Sequence, residues 1–150
     1  MKNILYEDTA RYDPWVKLIL GGILAALFVT GVSLLFEDVA AAGIMFGATI
    51  FDALLFKAIL PQRFQVFDDK LRIVLGGPFA INIPLANIEA ARCASGRKVF
   101  AYWGIRFATS SRYVVEIVRK KGLNLIISPA NGDMFLEQLN QAIQTAGSEG

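Results

Sequence analysis

The uncharged run LILGGILAALFVTGVSLLF, residues 18–36, decides how the rest of the chain is read. A helix rises ~1.5 Å per residue, so a run of this length approaches the ~30 Å hydrocarbon core of a bilayer. No polar face recurs along it at helical period, which argues against a core helix of a water-soluble domain. Pro14 suits a helix start, and Trp15 and Lys17 suit a membrane–water boundary. A cleaved signal peptide, ending at the alanines 40–42, is the weaker reading. The flank before the run is long and mixed in charge, and the run exceeds the ~7–15 apolar residues of a signal core.

Working outward, Glu37-Asp38 interrupts the apolar sequence and a second run follows over residues 39–60. A connection this short predicts an antiparallel hairpin of two membrane-spanning helices, at about 16–36 and 39–60. The hairpin turn holds no Lys or Arg. Lys2, Arg11 and Lys17 precede the first span, and Lys57, Arg63, Lys70 and Arg72 lie at or after the end of the second. The preference of basic residues for the inner side then puts both termini in the cytoplasm. Gly22 and Ala26, and Gly43 and Gly47, are spaced to let helix backbones approach, and intrachain packing of the hairpin is the expected use.

Asp52 lies inside the second run. Counted from residue 39 it sits roughly 20 Å from the outer edge, and its side chain leans toward the membrane centre. A carboxylate there is expected to be protonated, or hydrogen-bonded at a helix interface with Thr49 as a neighbour. Lys57 is close in sequence, but five residues turn a helix through about 140°, a poor pairing angle. The functional alternative is a small transport or proton-coupled subunit centred on Asp52.

The chain has 150 residues, 55% of them apolar, and a net charge of +2. Residues 61–150 hold 11 Lys/Arg against 7 Asp/Glu, and the first 60 hold 4 against 6. There is no His, which removes His acid–base chemistry and His metal ligation. Cys93 is the single Cys; it is expected to be a small buried residue, with no His to activate it. Paired carboxylates occur only at Glu7-Asp8, Glu37-Asp38 and Asp68-Asp69, all read as turns or flanks. No P-loop is present. No enzyme activity, metal site or cofactor is therefore expected.

After Pro61 the pattern changes from continuous apolar to alternating, which marks strands. Strands are expected at 63–67, 71–75, 79–83, 88–94, within 98–109, at 113–118 and at 123–128. Asp68-Asp69, residues 76–78, 95–97 and 120–122 are the turns. Asn131 or Asp133 then caps a helix whose Phe135, Leu139, Ala142, Ile143 and Ala146 share one face.

The order FQVFDDKLRI, INIPLANIEAA, WGIR, YVVEIV and LIISPANGDMFLEQL resembles bacterial pleckstrin-homology-like domains over roughly residues 55–145. The resemblance implies an α+β chain. Residues 1–60 would form an N-terminal segment and transmembrane hairpin. Residues 61–150 would form a cytoplasmic seven-stranded antiparallel β-barrel capped by a C-terminal helix. It also implies a bacterial inner-membrane protein and a non-catalytic binding or scaffold module. Its partners would be the lipid bilayer and a protein partner or further copies of itself. Relatives that bind phosphoinositides place basic residues around the first strand pair, where this chain has Asp68-Asp69.

An anionic-lipid head-group reader is the alternative. Eight basic residues against Glu116 lie between Arg92 and Lys121, and Arg92, Arg97, Lys98 and Arg106 are the candidate patch for lipid or partner. Asp52 and Lys57 are the polar residues inside the membrane. Phe100, Tyr102, Trp103 and Phe107 interleave with the basic residues, but barrel-core needs and a membrane tether argue against nucleic acid.

Overall fold

Two apolar helices of 21 residues, α1 (Pro14–Leu34) and α2 (Val39–Ile59), form an antiparallel hairpin in a computed structural model that describes residues 3–94, 104–110 and 114–148. Each is long and apolar enough to cross a membrane, and only 6% of its apolar window is buried. Pro14 opens α1, where its missing N–H costs nothing. Asp38 caps α2, its Oδ1 accepting the Ala40 and Ala41 N–H groups at 2.9 and 3.1 Å. Thr30, Ser33 and Thr49 donate their hydroxyls to carbonyls one turn back, which satisfies them within the helix.

The helices pack through different small residues from those the spacing suggests. Gly31 is buried, and a Cβ there would lie 3.0 Å from the Phe46 ring. Ala42 is fully buried, and Phe28 meets Phe46 at 5.6 Å between ring centroids. Gly22, Gly43 and Gly47 have open space where a Cβ would project, so those faces point away from the intrachain interface.

Two four-stranded sheets and one C-terminal helix complete the α+β fold. The first sheet has the order β1 (Ile4–Thr9), β2 (Pro61–Phe67), β3 (Lys70–Leu75), β4 (Ala80–Pro84), all antiparallel. A short 3-10 turn, Leu85–Asn87, leads to the second sheet. Its order is β5 (Ile88–Ala94), β7 (Val114–Arg119), β8 (Leu125–Ile127), β6 (Ile105–Phe107). Helix α3 (Gly132–Ser148) packs on both. Phe64, Leu71, Ile73, Ile83, Ile88, Ile117, Leu125 and Ile127 meet Phe135, Leu139 and Ala142 of α3 in one core. Gly122 closes the turn between β7 and β8 with φ +96°, a conformation that strains any side chain.

Three expectations change. The sheets do not form a closed seven-stranded barrel: eight strands are present among the described residues, and no strand ladder joins the two sheets. Their inner faces share the core, and their backbones bond at a corner, where Ala10 bridges Pro129, and the Arg11 and Ala130 N–H groups donate to Ser128 and Thr9 carbonyls, each at 2.8 Å. The pairing is not all antiparallel. Strand β8 inserts between the consecutive strands β7 and β6, so it runs parallel to β6. Cys93 is exposed rather than buried: it is next to last in β5, an edge strand with a neighbour, β7, on one side only.

The extra strand comes from the N-terminal segment, which the 60/61 boundary leaves outside the sheet domain. Residues 4–9 pair with β2, Tyr6 opposite Val66 and Asp8 opposite Phe64. The helical hairpin is thus an insertion between two adjacent strands of one sheet. Glu7 and Asp8 work within that strand: Glu7 accepts from Gln65 and pairs with Arg63 at 3.5 Å, and Asp8 Oδ2 accepts the Asn131 N–H at 2.7 Å before α3.

Candidate functional site

The root of the hairpin, where both helices enter the sheet domain, gathers the buried polar residues. Asp13 is the residue before α1 and has extended backbone, yet its carboxylate does not cap the helix. It is 7% exposed and accepts the Ser110 hydroxyl at 2.7 Å and the Trp15 indole N–H at 3.3 Å. The Asp13 N–H donates to the Thr109 carbonyl at 2.9 Å. Thr109 and Ser128 hydroxyls both donate to the Arg11 carbonyl, and the Thr109 N–H reaches Ser128 Oγ at 2.9 Å. One step away the Tyr12 hydroxyl donates to the Pro61 carbonyl, and burial raises that phenol above its ordinary pKa. Residues just before α1 are thereby fastened to the ends of β6 and β8 and to the start of β2.

The other strand of the junction is fixed from β3. Gly76 donates its N–H to the Leu60 carbonyl at 3.1 Å, and a Cβ on Gly76 would fall 1.7 Å from the Lys57 carbonyl oxygen. Only glycine permits that approach. Both ends of the hairpin are therefore seated on the domain by backbone contacts and buried hydroxyls rather than by long surface side chains.

Replacing Asp13 removes the acceptor of two donors at this joint. Asp13→Ala is expected to lower the stability of the full chain by about 1–3 kcal/mol, and Asp13→Asn by less, because its carbonyl still accepts from Ser110. Denaturant unfolding in detergent, followed by Trp fluorescence, reads this out; equal stability in all three proteins would refute it.

The candidate patch is brought together only in part. Arg92, Glu116, Ile126 and Arg106 are successive cross-strand partners over β5, β7, β8 and β6, so they share one face of the second sheet. Arg92 and Arg106 are three strand spacings apart, roughly 14 Å. Arg92 Nε lies 3.3 Å from a Glu116 carboxylate oxygen, which offsets its charge. Arg97 and Lys98 lie outside the described residues. Lys120 and Lys121 lie in the turn between β7 and β8, held by Asn87, whose side chain bonds both the N–H and the carbonyl of Lys121. That turn is at the end of the sheet opposite the root.

Asp52 is half-buried on α2, and Lys57 is exposed in its last turn. Among the described residues no hydrogen bond or ion pair joins them, and Thr49 donates to Met45 instead of to Asp52. Among the described residues no group of three or more acidic or Cys side chains is placed to hold a metal ion.

Comparison with family models, with curated proteins and with solved structures found no match.

Proposed function

We propose that the chain is a non-catalytic, membrane-anchored binding module, pleckstrin-homology-like in its sheet domain, which presents that domain to a protein partner or to further copies of itself. The observation that carries this reading is the insertion of the apolar hairpin between the paired strands β1 and β2. A domain joined by one flexible linker samples many orientations, whereas this one is tied to its anchor at both ends. A fixed orientation raises the effective concentration of one face toward neighbours in the same membrane. Two packed sheets with a single C-terminal helix in their common core support the pleckstrin-homology-like assignment. The basic residues near the span ends support a cytoplasmic domain, and the resemblance to bacterial pleckstrin-homology-like proteins points to a bacterial inner membrane.

The lipid-reading alternative draws less support, because Glu116 stands between Arg92 and Arg106. The proton-coupled alternative rests on Asp52, the single carboxylate in the two helices. Asp52→Asn with unchanged assembly and no change in proton flux would remove it.

Cys93 supplies the test, being the single Cys of the chain and exposed on the sheet domain. A membrane-impermeant maleimide is expected to label it in inverted native vesicles and to spare it in intact cells. A photoactivatable crosslinker on Cys93, and separately on L123C in a C93A background, is then expected to give an adduct with a second copy or another membrane protein. Full labelling without any adduct from either position would reject the binding-module reading.

A further inference from the structure

The turn between β3 and β4 lies against the membrane helix, although it belongs to the sheet domain. The Leu75 N–H closes it onto the Phe79 carbonyl at 3.0 Å. Its Gly76 backbone touches the Lys57 carbonyl, and a Cβ on Gly77 would lie 3.8 Å from Ala58 Cα. The turn is therefore level with the last turn of α2. Phe79 is 60% exposed, Gly77 and Pro78 are exposed beside it, and no charged residue occurs from 73 to 88. An uncharged turn with an exposed aromatic tip, lying against the end of an apolar helix, suits the boundary of a bilayer.

We propose that residues 76–79 enter the interfacial layer of the bilayer beside α2, with Phe79 inserted at the headgroup–acyl boundary, as a membrane contact of the sheet domain itself. This rests on the reading that the hairpin spans the membrane. A helix of 21 residues is about 32 Å long, enough to place its last turn at the edge of the hydrocarbon core. Lys57 in that turn carries its ammonium to headgroup level on a flexible stem, and the turn packed on its carbonyl shares that level. Trp15, 48% exposed, opens α1 at the same end of the hairpin. The occupant is lipid rather than a protein because the turn continues a surface whose neighbouring helices already face lipid. Contact at Phe79 adds a third point to the two chain connections and so sets the tilt of the domain over the membrane.

The test uses the full chain in liposomes, with a nitroxide on F79C in a C93A background, and collision accessibility to oxygen and to a water-soluble nickel complex. F28C in α1 marks the membrane interior, and L123C at the opposite end of the sheet marks water. The ratio of oxygen to nickel accessibility is expected to be severalfold higher at position 79 than at 123, and highest at 28. If position 28 is oxygen-rich while 79 matches 123, the inference fails and the spanning hairpin stands. If 28 also matches 123, the spanning reading fails and takes the inference with it.

Discussion

Phe135→Ala is expected to cost about 3–5 kcal/mol, the range for emptying a buried aromatic site that cannot collapse. Phe135 is fully buried in the first turn of α3. Its ring lies edge-on to Phe64 of β2 at 6.1 Å and to Tyr6 of β1 at 6.2 Å between centroids. Three segments far apart in sequence therefore meet on one side chain. Such ring pairs add to the area they bury. The N-terminal strand pairs on one side only, with β2, so losing the ring is expected to loosen Ile4–Thr9 before the rest of the sheet. Hydrogen exchange should show the amides of β1 losing protection ahead of those of β3, and denaturant unfolding in detergent should show the loss in stability. Uniform protection with unchanged stability would contradict the role assigned to Phe135.

Gly76→Ala is expected to unseat the turn between β3 and β4 from α2. The added Cβ would meet the Lys57 carbonyl oxygen at 1.7 Å and the Gln62 amide nitrogen at 2.7 Å. A side chain rotates away from such a contact; a helical carbonyl does not. The cost is about 1–3 kcal/mol, as for other overpacked sites, and belongs at the upper end because the opposing atom is backbone. Gly77→Ala is the control. Its nearest neighbours would be at 3.6 and 3.8 Å, ordinary contact distances, so a change within about 0.5 kcal/mol is expected. Limited proteolysis near residue 60 should cut the Gly76 variant faster than the Gly77 variant. Equal rates and equal stabilities would mean that the turn is not held on the helix.

The helices were legible because residues 18–36 run without a charge and residues 39–60 are nearly as apolar, each long enough for one unbroken helix. Strands β2, β3 and β5 and the buried face of α3 were legible for the same kind of reason, since burial on one side imposes a period. Strand β1 was not. ILYEDT carries two acids, and only Tyr6 and Asp8 turn inward, so it has no apolar alternation to read. Strand β6 is three residues long, too short for any period.

The junction was hidden more deeply. Nothing along the chain points from Asp13 to its partner Ser110, which lies 97 residues away. Gly76 was legible as a turn residue, but the carbonyl that demands a glycine there belongs to another element. The row formed by Arg92, Glu116, Ile126 and Arg106 depends on strand order, in which β8 separates two consecutive strands. Spacing along the chain carries no record of that order.

If the hairpin spans a membrane, as proposed, the pairing of β1 with β2 across it makes folding of the domain a check on how the chain was inserted. Both strands must be delivered to one compartment, and only an even number of crossings does that. If a single helix entered the bilayer, Ile4–Thr9 and Pro61–Phe67 would be left on opposite sides. The sheet would then lack its first strand, Phe135 its Tyr6 neighbour and Ser110 its Asp13 acceptor. A half-inserted chain would therefore carry a sheet with a bare edge, a surface prone to pair with other chains. The domain thus certifies the hairpin: its first sheet is complete only when both helices have been placed correctly.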